Sequence, residues 1–166
     1  MSNISKPERD TQDRVIALFR DELGYCYLGD WTDRNENSNI EEELLSAYLL
    51  KCGYNKAQIG GALHRLRAEA DNHGRGLYGN NQAVYGLLRY GVDVKTEAGK
   101  VKDTVRLINW KEPGKNDFAI AEEVTLRGNH ERRPDIVLYV NGIAVGILEL
   151  KNSRTSIGDG IGQCLS

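Results

Sequence analysis

The residues best suited to chemistry bracket one apolar stretch. Asp135 opens the run Ile136 to Val140, and Glu149 and Lys151 close the run that begins at Ile143. No charged residue lies between Asp135 and Glu149. A carboxylate inside a buried strand is costly unless it is paired or bound to a cation. Residues i and i+2 of a strand share a face, so Glu149 and Lys151 point the same way, and Asp135 can join them from the neighbouring strand. Two carboxylates and the backbone carbonyl of Leu150 make an oxygen donor set for a hard ion such as Mg2+. Such an ion polarises a phosphate and lowers the pKa of a bound water. Lys151 would orient or help deprotonate that water, or offset charge on the pentavalent oxygens.

The turn between the two runs sets a condition on this reading. Asn141-Gly142 is a strong two-residue hairpin signal. A strict two-residue turn pairs Val140 with Ile143, which puts Leu148 opposite Asp135 and turns Glu149 to the wrong face. A turn with Gly142 as a bulge residue pairs Tyr139 with Ile143 and brings all three side chains to one face. The chemical reading therefore predicts a bulged turn, or a bend at Pro134 that takes Asp135 off the ladder. The same D-x13-E-x-K spacing also describes an edge hairpin with a surface Glu–Lys pair.

The elements that must carry these residues divide the chain in two. The first part, about 7–90, reads helical. Apolar Val15, Ile16, Leu18, Phe19 and Leu23 recur at helical spacing from Pro7 to Leu23, with Ser5 as cap and Gly24 as stop. A short strand at Tyr25 to Leu28 follows. Asn39 is a candidate cap for a helix from Ile40 to Lys51, and another helix spans Lys56 to Ala70. Asp71 to Gly79 reads as a loop, and Asn81 to Leu88 as a helix. The second part, about 90–151, reads as sheet. Tyr90–Lys95 and Val101–Trp110 form a hairpin around Glu97 to Lys100. Asp117–Leu126 is strand-like, and the last two runs are apolar at odd and even positions alike. Their sheet should be covered on both faces, by helices on at least one. The fold class is α/β, bordering on α+β, with a mostly antiparallel central sheet flanked by helices in a single domain over 1–166.

Composition narrows the function classes. The chain of 166 residues is 40% apolar and 28% charged, a globular composition, with net charge −2. That balance argues against a strongly basic, free-standing DNA binder but leaves room for a local basic rim around an acidic metal site. The polar N-terminus has no secretory h-region, and no apolar run approaches a membrane span. Cys26, Cys52 and Cys164 read as reduced thiols of a cytoplasmic protein. His64, His73 and His130 lack metal-ligand spacing and suit surface or capping roles.

Other polar residues near the predicted sheet have two readings each. Glu8 and Gln12 share a helix face, either near the metal or simply solvated, the second being preferred for Glu8. Of Glu122 and Glu123, one should face the cleft and the other solvent, because strand neighbours alternate. Arg127, Arg132 and Arg133 could contact phosphates or be solvated. Trp31, Tyr48 and Tyr54 suit core or rim packing better than base stacking. The Gly74, Gly76 and Gly79 stretch is a loop, not a phosphate cradle.

The string NDFAIAEEVTLRGNHERRPDIVLYVNGIAVGILELK, Asn116 to Lys151, resembles the nuclease domain of the restriction (R, HsdR-type) subunit of type I restriction-modification enzymes. ERDTQDRVIALFRDELGY, SNIEEELL, NNQAVYGLLRYGV and VRLINW resemble the same family in the same order, so the resemblance covers nearly the whole chain. It implies a restriction-endonuclease-like PD-(D/E)xK core, whose motif falls on Pro134-Asp135 and Glu149-Leu150-Lys151. Asp135 and Glu149 would be Mg2+ ligands, with the Leu150 carbonyl, and Lys151 the catalytic lysine. Gln163 matches a glutamine of the helix after the motif; the tyrosine that often follows would fall beyond residue 166. Gly162 stands where a basic residue is usual, which implies loss of a phosphate contact.

The activity implied is Mg2+-dependent hydrolysis of phosphodiester bonds in double-stranded DNA. ATP-driven translocation would reside in further domains, since no GxxxxGK[ST] loop occurs here, and the chain is expected to be the N-terminal part of a longer polypeptide. Modification and specificity subunits are the implied partners, with the recognition sequence read by a different subunit. Two alternatives remain at this point: a stand-alone repair or junction-resolving nuclease of the same superfamily, and a nuclease-like module that binds DNA or a partner without cutting.

Overall fold

A computed structural model describes residues 6–35, 37–95, 103–125 and 132–150. Helices combine with a mixed sheet, an α/β arrangement, and the chain forms two compact units. One unit joins residues 1–41 to 118–166; the other is 42–117. The division does not follow the helical-then-sheet order expected along the chain, because the first helix and first strand belong with the last strands.

In the discontinuous unit, helix α1 (Lys6–Ala17) runs into a π-helical turn, Leu18–Glu22. Gly24 ends it with φ 72°, and the Tyr25 N–H reaches back to the Phe19 carbonyl at 2.9 Å. Glycine takes this left-handed conformation without a Cβ penalty. The Tyr25 ring then packs edge-on against Phe19, centroids 4.9 Å apart. Strand β1 (Cys26–Asp30) follows, two residues longer at its end than the sequence suggests.

The sheet order is β1-β4-β5-β6, with β4 (Phe118–Glu122), β5 (Ile136–Val140) and β6 (Ile143–Leu148). β1 lies parallel to β4, and the other two pairings are antiparallel. One face carries Ile120, Ile136, Leu138 and Leu148 and is covered by Val15, Ile16 and Phe19 from the first helix and its π-turn. The other carries Ala119, Ala121, Val137 and Tyr139 against Trp31, Leu28 and Ala144. β5 is thus enclosed on both faces, as its unbroken apolar run predicts. β6 is not: Val145 and Ile147 are 52% and 47% exposed.

Asn141 (φ 53°) and Gly142 (φ 82°) are both left-handed, and Val140 pairs with Ile143. This is the strict two-residue turn, so the expectation of a bulged turn is overturned. The outer edge of β6 is partly paired by residues 39–41. Ile40 bridges to Ile143, Ala144 N–H donates to the Asn39 carbonyl at 2.9 Å, and Glu41 N–H donates to the Gly142 carbonyl at 2.7 Å. Asn39 is therefore drawn into the sheet edge and does not cap a helix, correcting the sequence reading.

The second unit holds α2 (Glu42–Lys51), α3 (Lys56–Ala70), α4 (Leu77–Tyr90) and a hairpin of β2 (Val92–Val94) with β3 (Asp103–Val105). A reciprocal cap starts α3: Asn55 accepts from Gln58 N–H and Gln58 accepts from Asn55 N–H, each at 2.9 Å. Helix α4 begins within the expected loop, at Leu77. β3 ends at Val105, well before the expected Trp110, and there Arg106 N–H donates to the Tyr54 hydroxyl at 2.9 Å. Leu45, Tyr48, Leu49, Ile59, Ala62, Leu66, Val92, Val94 and Val105 are buried apolar residues of this unit, with Leu107 and Ile108.

Candidate active site

The last hydrogen-bonded pair between β5 and β6 is Ile136 with Leu148. Asp135 and Glu149 are the next residue on each strand, and extending the register by one would set them opposite each other. A strict turn alone would not do this. The ladder shifts between Tyr139–Ala144 and Leu138–Gly146, so Val145 is an extra residue on β6. The one-residue correction that the chemistry requires is therefore made inside the strand and not at the turn. Cross-strand partners share a face, so this register is the one that would direct the two carboxylates to the same side.

Asp135 is fixed from three directions. Its Oδ2 accepts from the Leu150 N–H. Its carbonyl accepts from Glu123 N–H at 3.0 Å and from Gln12 Nε2 at 3.3 Å. This one residue ties the ends of β4, β5 and β6 to α1.

Behind it lies a buried acidic cluster. Gln12 is fully buried, and its Nε2 donates to Glu122 Oε2 at 2.8 Å and Glu123 Oε1 at 3.2 Å. Arg9 grips Glu122 with both terminal nitrogens, at 2.8 and 3.3 Å, and the Tyr27 hydroxyl donates to the same carboxylate. Arg133 Nε pairs with Glu123 Oε2 at 2.9 Å. Burial holds the Glu123 carboxyl above the usual range, and the charges of Asp135 and Asp30 add to this; Gln12 and Arg133 oppose it. Burial also pushes the Tyr27 hydroxyl well above its ordinary value, helped by its hydrogen bond to Glu122.

Several expectations change here. Glu122 and Glu123 are each only 2% exposed, so neither faces solvent. Strand alternation fails because Glu123 has a left-handed backbone, φ 52°, which swings its side chain back beside its neighbour's. Glu8 is half-buried, not on a solvated face. Trp31 and Tyr48 are buried, as packing residues should be, while Arg132 is exposed. Arg127, Lys151 and Gln163 lie outside the described residues, as do His130 and Cys164. The sequence names neither Arg9 nor Tyr27 by motif or spacing to the carboxylates. The signal for the helix side was present: Gln12 precedes buried Ile16 by four, and Arg9 precedes Gln12 by three, so all lie on one stripe.

The model for the family described as type I restriction enzyme R protein N terminus matches residues 5–166. The chain belongs to that family. A type I restriction enzyme HindI endonuclease subunit of Haemophilus influenzae is 40% identical over 83 residues, 48% of this chain and 8% of that protein. A provisionally named type I restriction enzyme MjaIXP endonuclease subunit of Methanocaldococcus jannaschii is 26% identical over 148 residues, 81% of this chain and 14% of that protein. The chain thus matches a small part of the length of these relatives. Asp135, Glu149 and the Leu150 backbone lie within the matched family region.

The fit of these residues to a divalent cation rests on their chemistry. Among the described residues no group of three or more His, Cys, Asp or Glu side chains is arranged to hold a metal. The donors available are the Asp135 and Glu149 carboxylates and the Leu150 carbonyl. Mg2+ is held in this way, through one or two carboxylates with water completing its shell. Three further features favour a cation: the donors are all oxygen, Asp135 and Glu123 disfavour each other's charge, and Arg9 and Arg133 are already engaged by Glu122 and Glu123. The residues fit the ion.

No helix among the described residues is long and apolar enough to cross a membrane.

Proposed function

We propose that this chain is the Mg2+-dependent endonuclease domain of a type I restriction enzyme R subunit, built on a PD-(D/E)xK core and cutting double-stranded DNA. The observation that supports the proposal is the register: the extra residue Val145 makes Ile136 pair with Leu148, so that Asp135 and Glu149 are the next residues along their strands. Membership of the R protein N-terminal family supports the same reading.

In this reading Asp135 and Glu149 supply carboxylate oxygens, and Leu150 its carbonyl, to the ion. Bound Mg2+ supplies charge neutralisation at the scissile phosphate and a lowered pKa for water. Lys151 orients the attacking water and offsets the charge that develops on the phosphoryl oxygens. Gln163 contributes from beyond the strand. Gln12 and Arg133 keep the neighbouring carboxylates fixed, so that Asp135 is held by a rigid support. ATP use and assembly with modification and specificity subunits, in the cytoplasm, belong to the longer protein of which this domain would be part.

The deciding experiment uses the assembled enzyme with ATP and Mg2+. Lys151→Ala, Asp135→Asn and Glu149→Gln should each abolish DNA cleavage while ATP hydrolysis continues. Cleavage at the unaltered rate in any two of them would remove these residues from the reaction.

A further inference from the structure

The unit formed by residues 42–117 contains a cavity of about 540 Å³. It is lined by Arg89, Arg106 and Lys111, by Trp110 and Tyr54, and at its floor by Tyr48. That volume falls within the roughly 300–1,000 Å³ of small-molecule sites. No carboxylate lines it, and among the described residues none of the three cations is paired with one. This is a local excess of positive charge in a chain whose net charge is −2.

The aromatic walls are held in place. Trp110 Nε1 donates to the Leu88 carbonyl at 2.7 Å, and the Arg89 guanidinium sits 5.5 Å from the Trp110 ring centroid. The Tyr54 hydroxyl accepts from Arg106 N–H at 2.9 Å, and Arg106 Nη1 donates to the Tyr90 carbonyl at 2.8 Å. Trp110 remains 46% exposed. An indole anchored at its nitrogen but open on its surface is a stacking platform, and unpaired guanidinium and ammonium groups beside it suit a phosphate.

We propose that this cavity binds a nucleotide, with its base stacked against Trp110 and its phosphate met by Arg89 and Lys111. The shared chemistry is a planar base carrying a phosphate. It comes either from a free mononucleotide or from one unit of a DNA single strand. All its lining residues belong to the 42–117 unit, and the proposal does not depend on the chemistry of Asp135 and Glu149.

The test titrates the full chain and follows tryptophan fluorescence and calorimetric heat, neither of which requires cleavage. The probes are thymidine 5′-monophosphate, thymidine, inorganic phosphate and a short single-stranded thymidine oligonucleotide. The monophosphate should bind and quench Trp110, with thymidine and phosphate each at least about tenfold weaker. Arg89→Gln with Lys111→Gln should weaken the monophosphate at least about tenfold at an unchanged Tm, because both side chains are exposed. Lys111→Glu alone should act in the same direction. An oligonucleotide that binds much more tightly than the monophosphate identifies a DNA strand as the occupant; equal binding identifies a free nucleotide. Heat and quenching absent for every probe, phosphate binding as well as the monophosphate, or full binding by the double variant would each overturn the proposal.

Discussion

Ile136 pairs with Leu148, leaving Asp135 and Glu149 as the next residues on their strands, because β6 uses one more residue than β5, Val145, in reaching that pair. Asp135 also accepts the Leu150 N–H through its carboxylate. A single side chain therefore serves both the strand end and the proposed reaction, and substitutions can separate the two roles. Asn retains an oxygen that can accept the Leu150 N–H; Ala does not. Asp135→Asn should leave Tm nearly unchanged, while Asp135→Ala should lower stability by about 1–2 kcal/mol. Both should lower DNA cleavage in the assembled enzyme by on the order of 10²-fold or more, if the carboxylate charge is what the reaction uses. Thermal melts and plasmid cleavage measured on the same preparations check this.

Gln12 makes a different demand. Its amide is fully buried and is the donor common to Glu122, Glu123 and the Asp135 carbonyl. Removing a buried donor leaves its acceptors desolvated and unsatisfied. Gln12→Ala should destabilise the domain by about 1–3 kcal/mol in urea denaturation. Gln12→Glu should be worse despite its nearly identical shape, because it adds a carboxylate to a site already holding two. Equal midpoints for the two variants would show that packing, and not the amide hydrogens, is what Gln12 contributes.

These contacts mark the limit of what the sequence discloses. The apolar runs around Asn141-Gly142 specify the hairpin, and Asn55 with Gln58 specifies the start of α3, because turn and cap chemistry are local. The Val145 bulge has no such local marker. Its position follows from how β6 sits against β5, while the Asn141-Gly142 pair satisfies a strict turn by itself. Glu123 departs from strand alternation for a related reason. A left-handed glutamate carries no sequence signal, and its conformation is held by tertiary contacts to Arg133, Gln12 and Asp135. Asn39 looked like a helix cap because Asn is a good one, but pairing with β6 claims its backbone. The candidate carboxylates could be named from spacing, but not the polar support beneath them, which is contributed by α1 from more than a hundred residues away.

Glu123 gives the fold a pH dependence of definite sign. Its folded carboxyl binds protons more readily than in the unfolded chain, so burial of its charge is a penalty that grows as pH rises through the folded value. Below the ordinary glutamate range both states are protonated and the penalty vanishes. Glu123→Gln removes the titration. Relative to the unaltered protein, the variant should therefore gain stability between about pH 4 and pH 7. Urea midpoints for both proteins at the two pH values give the comparison, and a gap that narrows toward neutral pH would contradict it.

Tyr139 offers a test of the core alone. It is fully buried against Trp31, ring centroids 5.7 Å apart, and its hydroxyl has no hydrogen-bond partner among the described residues. An unsatisfied buried hydroxyl costs free energy that its phenyl analogue does not. Tyr139→Phe should be neutral or stabilising by up to about 1 kcal/mol, where most core substitutions destabilise. A loss of more than about 1 kcal/mol in chemical denaturation would mean that the hydroxyl has a partner, such as a buried water.

The proposed ion can be tested without DNA. If Asp135 and Glu149 hold Mg2+ only when the sheet end is folded, the ion must raise stability by mass action, reaching about 2.7 kcal/mol at a hundred times its Kd. The Tm of the chain should climb with Mg2+ concentration and level off only logarithmically. Asp135→Asn and Glu149→Gln should flatten that climb, since each removes one of the two proposed carboxylate ligands. A matched concentration of a monovalent salt separates site binding from screening, because general screening of this acidic cluster would raise all three proteins alike. Parallel curves for the unaltered chain and both variants would mean that the two carboxylates do not share an ion.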